Sequence, residues 1–103
     1  MATTEIDAYE ILYSANTFAP RIGLKNKKAY IGQMVFKPNG SVLPADKLIG
    51  TQPQIYYDLD DFQNALDILR NEKPVYLFFN GTGGGFENGI RTTEEIVGEG
   101  ETN

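Results

Sequence analysis

The residues with the clearest potential for chemistry form a glycine-rich stretch, Gly81-Thr82-Gly83-Gly84-Gly85, directly after an apolar run. Backbone N–H groups in such a loop can bind an anion. The stretch lacks the Gly-Lys-Ser/Thr ending of a phosphate loop, and the residues after it predict a turn and a strand. We therefore expect a mobile hairpin loop. The alternative is a small-molecule or nucleotide site over residues 80–86, with the ligand-binding residues Asn80, Gly81, Thr82, Gly83 and Tyr76.

The reactive side chains argue against catalysis. The chain has no His and no Cys, which removes the commonest general base, cysteine nucleophiles and thiolate metal sites. Asp58, Asp60 and Asp61 lie close together but lack the glycine and the distal Glu of a calcium loop. We interpret them as the start of a helix, which Asp58 or Asp60 can cap. The sequence favours a non-catalytic protein with no catalytic residue, no metal and no cofactor. An acid–base enzyme that uses carboxylates and Tyr is the weakest of the alternatives.

A basic cluster lies in the first third of the chain. Its members are Arg21, Lys25, Lys27 and Lys28. So many charges around turn-forming residues predict an exposed loop or hairpin tip. The cluster could contact a nucleic-acid backbone or an acidic protein surface. The net charge of −5 disfavours nucleic acid, because proteins that bind it without sequence preference are normally basic.

One strand and one helix must position these residues. Positions 74–80 are apolar on both phases, which predicts a central strand that is covered on both faces. Positions 59–71 repeat apolar residues every third or fourth place, which predicts an amphipathic helix. Further strands are predicted over 6–14, 28–37, 54–57 and 90–97, with a loop over 41–53. The elements predict an α+β fold, a mainly antiparallel sheet of about five strands with one helix packed on one face.

At 103 residues, the chain is predicted to form a single domain, 1–103. We expect a frayed N-terminus over 1–4 and a flexible acidic C-terminus over 98–103. The first residues lack the basic region and apolar core of a signal peptide. The apolar runs are shorter than the ~18 residues that a membrane helix needs. These features predict a soluble, cytoplasmic protein with no membrane contact.

The predicted elements leave one sheet face without a cover. A helix of about 13 residues spans roughly 20 Å, so it can cover only one face of a five-stranded sheet. A second copy of the chain could cover the other face. The sequence therefore predicts a self-associating or protein–protein interaction module, most simply a homodimer, with a further protein partner possible. The expected aromatic anchors of the interface are Tyr9, Tyr13 and Tyr30.

Overall fold

The computed structural model describes residues 2–93 of the chain, and this part has the predicted α+β class. In chain order its elements are β1 (Ala2–Ile6), β2 (Ala8–Leu12), β3 (Arg21–Asn26), β4 (Ala29–Lys37), β5 (Lys47–Ile49), β6 (Gln52–Asp58), a 3₁₀ helix (Leu59–Asp61), α1 (Phe62–Asn71), β7 (Val75–Phe79) and β8 (Gly89–Thr92). The acidic segment 98–103 and the second half of the strand predicted over 90–97 lie outside the described residues. No helix of the described part is long and apolar enough to cross a membrane.

The strands form two sheets rather than the single sheet that the sequence predicts. A three-stranded antiparallel sheet has the order β1-β7-β8, and a five-stranded sheet has the order β2-β3-β4-β6-β5. All pairs in the larger sheet are antiparallel except β4 and β6, which run parallel. The expectation of one helix and mostly antiparallel strands is therefore confirmed for the described residues, while the strands are divided between two sheets.

The division begins at Asp7, where the N-terminal strand breaks. Residues before the break pair with β7, and residues after it pair with β3. The Asp7 carboxylate accepts a hydrogen bond of 2.8 Å from the Lys27 N–H, and the Asp7 N–H donates to the Lys25 carbonyl at 2.9 Å. These contacts hold the break against the β3–β4 turn. Residues 2–4, which were expected to be frayed, belong to β1 and pair with Phe79, Phe78 and Leu77.

The strand β7 is central in its sheet, as its apolar sequence predicts, because it pairs with β1 on one side and β8 on the other. Its side chains alternate between buried and half-buried. Val75, Leu77 and Phe79 enter the core that both sheets and the helix share. A Cβ at Gly32 would lie 2.8 Å from Leu77 Cδ2 and 2.8 Å from the Pro53 carbonyl oxygen. A glycine at this position of β4 thus lets the two sheets approach closely.

The helix α1 covers another part of the same core. Ala65 and Leu66 are buried, and the Phe62 ring meets the Phe36 ring edge-on at 4.9 Å between centroids. The predicted range of 59–71 is confirmed as a 3₁₀ helix followed by α1. The predicted capping by Asp58 is wrong, since its side chain makes no capping hydrogen bond. Asn39, in the segment after β4, accepts the Asp60 N–H instead, at 2.8 Å.

The inner face of the five-stranded sheet is covered within the chain. The inner face of the five-stranded sheet contributes Ile22, Leu24, Met34, Phe36 and Ile55, all at most 1% exposed. The three-stranded sheet and α1 pack against them. The segment expected to be a loop over 41–53 includes β5 and the start of β6. Core coverage therefore does not require a dimer, and an interface must be sought elsewhere.

Candidate functional site

The glycine-rich loop is tied to its own hairpin by two asparagines. The Asn80 N–H donates to Asn88 Oδ1 at 2.7 Å, and Asn80 Nδ2 donates to the Glu87 carbonyl at 2.5 Å. Asn88 Nδ2 donates in turn to the Gly81 carbonyl at 3.0 Å. Gly81 also sits under the Phe86 ring, which a Cβ there would approach to 2.9 Å. The side chains around the loop are engaged in holding its shape.

Asp46 connects this loop to the five-stranded sheet. Its carbonyl accepts the Gly83 N–H at 3.2 Å. Its Oδ2 accepts from Asn88 Nδ2 at 3.1 Å, and its Oδ1 accepts the Tyr56 N–H of β6 at 2.9 Å. A phosphate would have to displace the carbonyl from the Gly83 amide and lie near a carboxylate. The arrangement therefore favours the hairpin-loop interpretation over an anion site.

Sequence reasoning did not predict the role of Asp46. The residue lies in an irregular segment, and its partner Asn88 is 42 positions away. The loop and Asp46 line an open depression of about 390 Å³, together with Tyr56 and Phe86. Such a surface can contact a ligand, although a carboxylate on its wall disfavours an anionic one.

Tyr76 does not join the predicted ligand site. It lies in the middle of β7, opposite Glu5 of β1 and Arg91 of β8. Asn80 lies four positions further along the chain, which is roughly 13 Å in an extended strand. Its side chain is half-buried on the face of β7 opposite to the core residues. The structure thus separates Tyr76 from the glycine loop.

The three predicted interface tyrosines lie on two different faces. Tyr9 is half-buried and packs against the core. Tyr13 follows β2, is 72% exposed, and has its ring 5.9 Å from that of Phe62. Tyr30 lies on the outer face of the larger sheet, with its ring over Gly23. Tyr9 and Tyr13 therefore share one strand edge, and Tyr30 belongs to a separate surface.

Tyr30 has fixed partners on that outer surface. Its hydroxyl donates to Glu10 Oε1, and the Lys25 ammonium lies 4.7 Å above its ring. The hydrogen bond to the Glu10 carboxylate, with smaller effects from burial and the Glu10 charge, raises the pKa of Tyr30 above its usual value. A β-bulge produces this orientation: Leu24 pairs with Gly32 but Lys25 pairs with Tyr30, so Ile31 is the extra residue.

The predicted basic patch is spread along β3 and the turn that follows it. Arg21 and Lys25 are half-buried at opposite ends of β3, while Lys27 and Lys28 form the β3–β4 turn and are exposed. Both turn lysines have positive φ, 52° and 70°. Roughly 13 Å of strand separates Arg21 from Lys25, and Glu10 lies between them across the β2–β3 ladder. The four charges form a stripe mixed with an acidic group, rather than a compact cluster.

The described residues contain no group of three or more His, Cys, Asp or Glu side chains placed to hold a metal ion. The Tyr57 phenol has a pKa well above the usual value for tyrosine. Burial, followed by the charges of Asp46 and Asp61, raises the pKa of Tyr57 to about 12. Its phenol therefore stays protonated at neutral pH and supplies no base there.

The free edge of β2 is the feature that sequence reasoning did not single out. In the five-stranded sheet β2 pairs with β3 alone. Four of its five residues are exposed, and three consecutive apolar side chains at its end are open to solvent: Ile11 (41%), Leu12 (42%) and Tyr13 (72%). Phe18, 62% exposed, follows in the next loop. The alternation of the segment was a signal for a strand, but position at a sheet edge cannot be derived from local pattern.

Comparisons with family models, curated proteins and solved structures find no significant match to this chain.

Proposed function

We propose that this protein is a non-catalytic module that self-associates through the free edge of β2, forming a homodimer. The observation that carries the proposal is the exposure of Ile11 and Leu12 on an edge strand and of Tyr13 directly after it. An edge strand presents unpaired N–H and C=O groups that can pair with another strand. Solvent-exposed apolar side chains on both of its faces would be covered by the same pairing.

The other strand edges of the described part are less suited to pairing. β1 presents Thr3, Thr4 and Glu5 on its exposed positions, and β8 presents Arg91. β5 carries the exposed residues Leu48 and Ile49 but is only three residues long. Polar and short edges are common ways in which proteins avoid edge pairing. The edge of β2 combines five residues of strand with apolar side chains.

The residue types of β2 favour one register. A two-fold axis normal to the sheet places one residue opposite its own copy. If the axis passed at Glu10, the two Glu10 carboxylates would face each other, and like charges directly opposite are destabilising. Centring on Ile11 opposes Ile11 with itself and Tyr9 with Tyr13 of the second copy. Aromatic and β-branched cross-strand pairs stabilise antiparallel sheets, so we propose the register centred on Ile11, with Tyr9 and Tyr13 as anchors.

The oligomeric state tests this proposal. Light scattering coupled to gel filtration at micromolar concentration should give twice the chain mass of 11.4 kDa for the wild type. Ile11→Lys should give a monomer, because it places two charges opposite each other at the axis. Ile49→Lys is the matched control, since Ile49 is a similarly exposed residue of the other edge strand. A wild-type monomer, or equal effects of both substitutions, would contradict the proposal.

Tyr30 and the basic stripe lie outside this interface and are the candidate surface for a further protein partner. Nucleic acid remains disfavoured by the net charge of −5. A salt-dependent retention of an oligonucleotide by the wild type would overturn that expectation. The cytoplasmic location remains a prediction from the sequence, and cell fractionation tests it.

A further inference from the structure

A cleft of about 410 Å³ opens between the two sheets. Its floor consists of Leu77 and Phe79 of β7, which are 3% and 9% exposed, and of the buried Pro53. Leu48 of β5 forms part of the rim and is 49% exposed. The volume falls in the range of about 300–1,000 Å³ that is usual for small-molecule sites. Residues of the apolar core thus form part of the cleft wall, while more exposed residues of β5 and of the β5–β6 turn surround them.

The cleft follows from the shape of β4. At Gly32 the two sheets are in close contact, because the position has no side chain to separate them from Leu77. One residue earlier, the bulge at Ile31 interrupts the regular pairing of β3 and β4. Ile31 lines the cleft, while Tyr30 stands at its rim. Bulges of this kind are frequent next to binding sites, where they redirect side chains.

The charge of the lining restricts the ligand. None of the described residues that line this cleft is Asp, Glu, Lys or Arg, and those with polar side chains are Thr4, Thr51, Gln52 and Tyr30. By contrast, the depression of about 510 Å³ between the Asp7 break and the end of α1 is lined by several charged residues, including Glu72 and Lys73. A carboxylate or ammonium group would find no counter-charge among these described residues, and burying an unpaired charge is costly.

We propose that this cleft binds a small uncharged molecule with an apolar body and one or two hydroxyl or carbonyl groups. The apolar body lies on Leu77 and Phe79, and the polar groups remain at the rim, where Thr51 and Gln52 are exposed. This site is independent of the dimer interface, since none of its lining residues belongs to β2.

Fluorescence titration with the neutral probe N-phenyl-1-naphthylamine tests the site. We expect saturable binding of one probe per chain. Leu48→Arg should weaken binding at least about tenfold, because it places a charge at the rim. Ile49→Arg is the matched control: Ile49 is adjacent on β5, similarly exposed and outside the cleft, so its affinity should stay within about twofold of wild type. Circular dichroism checks that both variants fold.

The charge requirement has its own test. 1-Octanol should displace the probe, and octanoate at the same concentration should not. Equal displacement by both would overturn the assignment to uncharged ligands. Binding that does not saturate, or equal losses in Leu48→Arg and Ile49→Arg, would overturn the site itself. The titration is repeated in the Ile11→Lys variant, which is expected to be monomeric and to bind the probe with the same affinity as the wild type. The result for the cleft can therefore be separated from the result for the dimer.

Discussion

Burial raises the pKa of the Tyr57 phenol to about 12, with the Asp46 and Asp61 charges adding to the shift. The usual pKa of an exposed tyrosine is near 10. A folded-state pKa above the unfolded value means that the native state holds its proton more tightly. The associated stability is fully present below pH 10 and is lost as the pH rises from about 10 towards 12.

In the Tyr57→Phe variant, the free energy of unfolding should therefore fall less steeply as the pH rises above 10. Between pH 8 and 11 the wild type should lose on the order of 1 kcal/mol more unfolding free energy than the variant, by linkage. Urea titrations of both proteins at the two pH values measure this difference. Tyr13→Phe is the control, because Tyr13 is 72% exposed and should show a much smaller effect. Parallel pH profiles for wild type and Tyr57→Phe would contradict the assignment.

The Asp46 side chain links the hairpin of the glycine loop to β6. Asp46→Ala removes two side-chain hydrogen bonds, to Tyr56 and Asn88. The cost should be about 1–3 kcal/mol, because two half-buried donors lose their acceptor. Amide exchange at Tyr56 should accelerate in the same variant. Asp46→Asn keeps one acceptor oxygen and should fall between wild type and Asp46→Ala. An unchanged melting temperature in Asp46→Ala would contradict this role.

The absence of a phosphate site in the loop remains a prediction. The Gly83 amide already donates to the Asp46 carbonyl. We expect no change in exchange of the Gly83 to Gly85 amides when ATP, NAD or sulfate is added at sub-millimolar concentration. Protection of these amides would favour the nucleotide-binding alternative.

At the scale of single elements, α1 and β7 follow from local sequence. The apolar stripe of α1 and the apolar run of β7 are signals within about a dozen residues, so both were predictable. The capping residue was not, because Asn39 lies 21 positions from the Asp60 N–H that it accepts. The candidate interface was predictable only in part: Tyr9 and Tyr13 were selected as aromatics, but their common place on a free edge depends on the pairing of distant strands.

Truncations in α1 test its packing. Leu66→Ala should cost about 2–5 kcal/mol, since Leu66 is 6% exposed. Leu69→Ala should cost less, because Leu69 is only partly buried. Asp67→Ala, on the exposed face, should cost under about 0.5 kcal/mol. Thermal melts of the three variants rank these losses of stability. Equal shifts in melting temperature would contradict the orientation of the helix.

At the scale of the whole molecule, the two sheets meet where β4 has no side chain. Gly32→Ala should destabilise the fold by about 1–3 kcal/mol, because its methyl group would collide with Leu77 and the Pro53 carbonyl. Gly84→Ala is the matched control, since a Cβ there meets nothing within 4 Å, and should be nearly neutral. Chemical denaturation measures both. A neutral Gly32→Ala would contradict the close approach of the sheets.

This two-sheet arrangement could not be read from the sequence, for physical reasons. It depends on the break at Asp7, which a local pattern does not mark, and on the parallel pairing of β4 with β6. A pairing between distant segments leaves no periodicity in either one. The inference that one face lacked a cover assumed a single sheet, whereas the second sheet and α1 both pack on the inner face of the larger one. The case for self-association now rests on the edge of β2.

A site-specific disulfide tests that case most directly, because the chain contains no native cysteine. In the register centred on Ile11, the two copies of residue 11 lie directly opposite, with Cβ atoms about 4.5–5.5 Å apart, close to disulfide geometry. Ile11→Cys should therefore form a covalent dimer under mild oxidation. Leu12→Cys should not, since its two copies would be offset by roughly 7 Å along the strands. Ile11→Cys that stays at 11.4 kDa, or cross-linking of Leu12→Cys at the same rate, would contradict the proposed dimer.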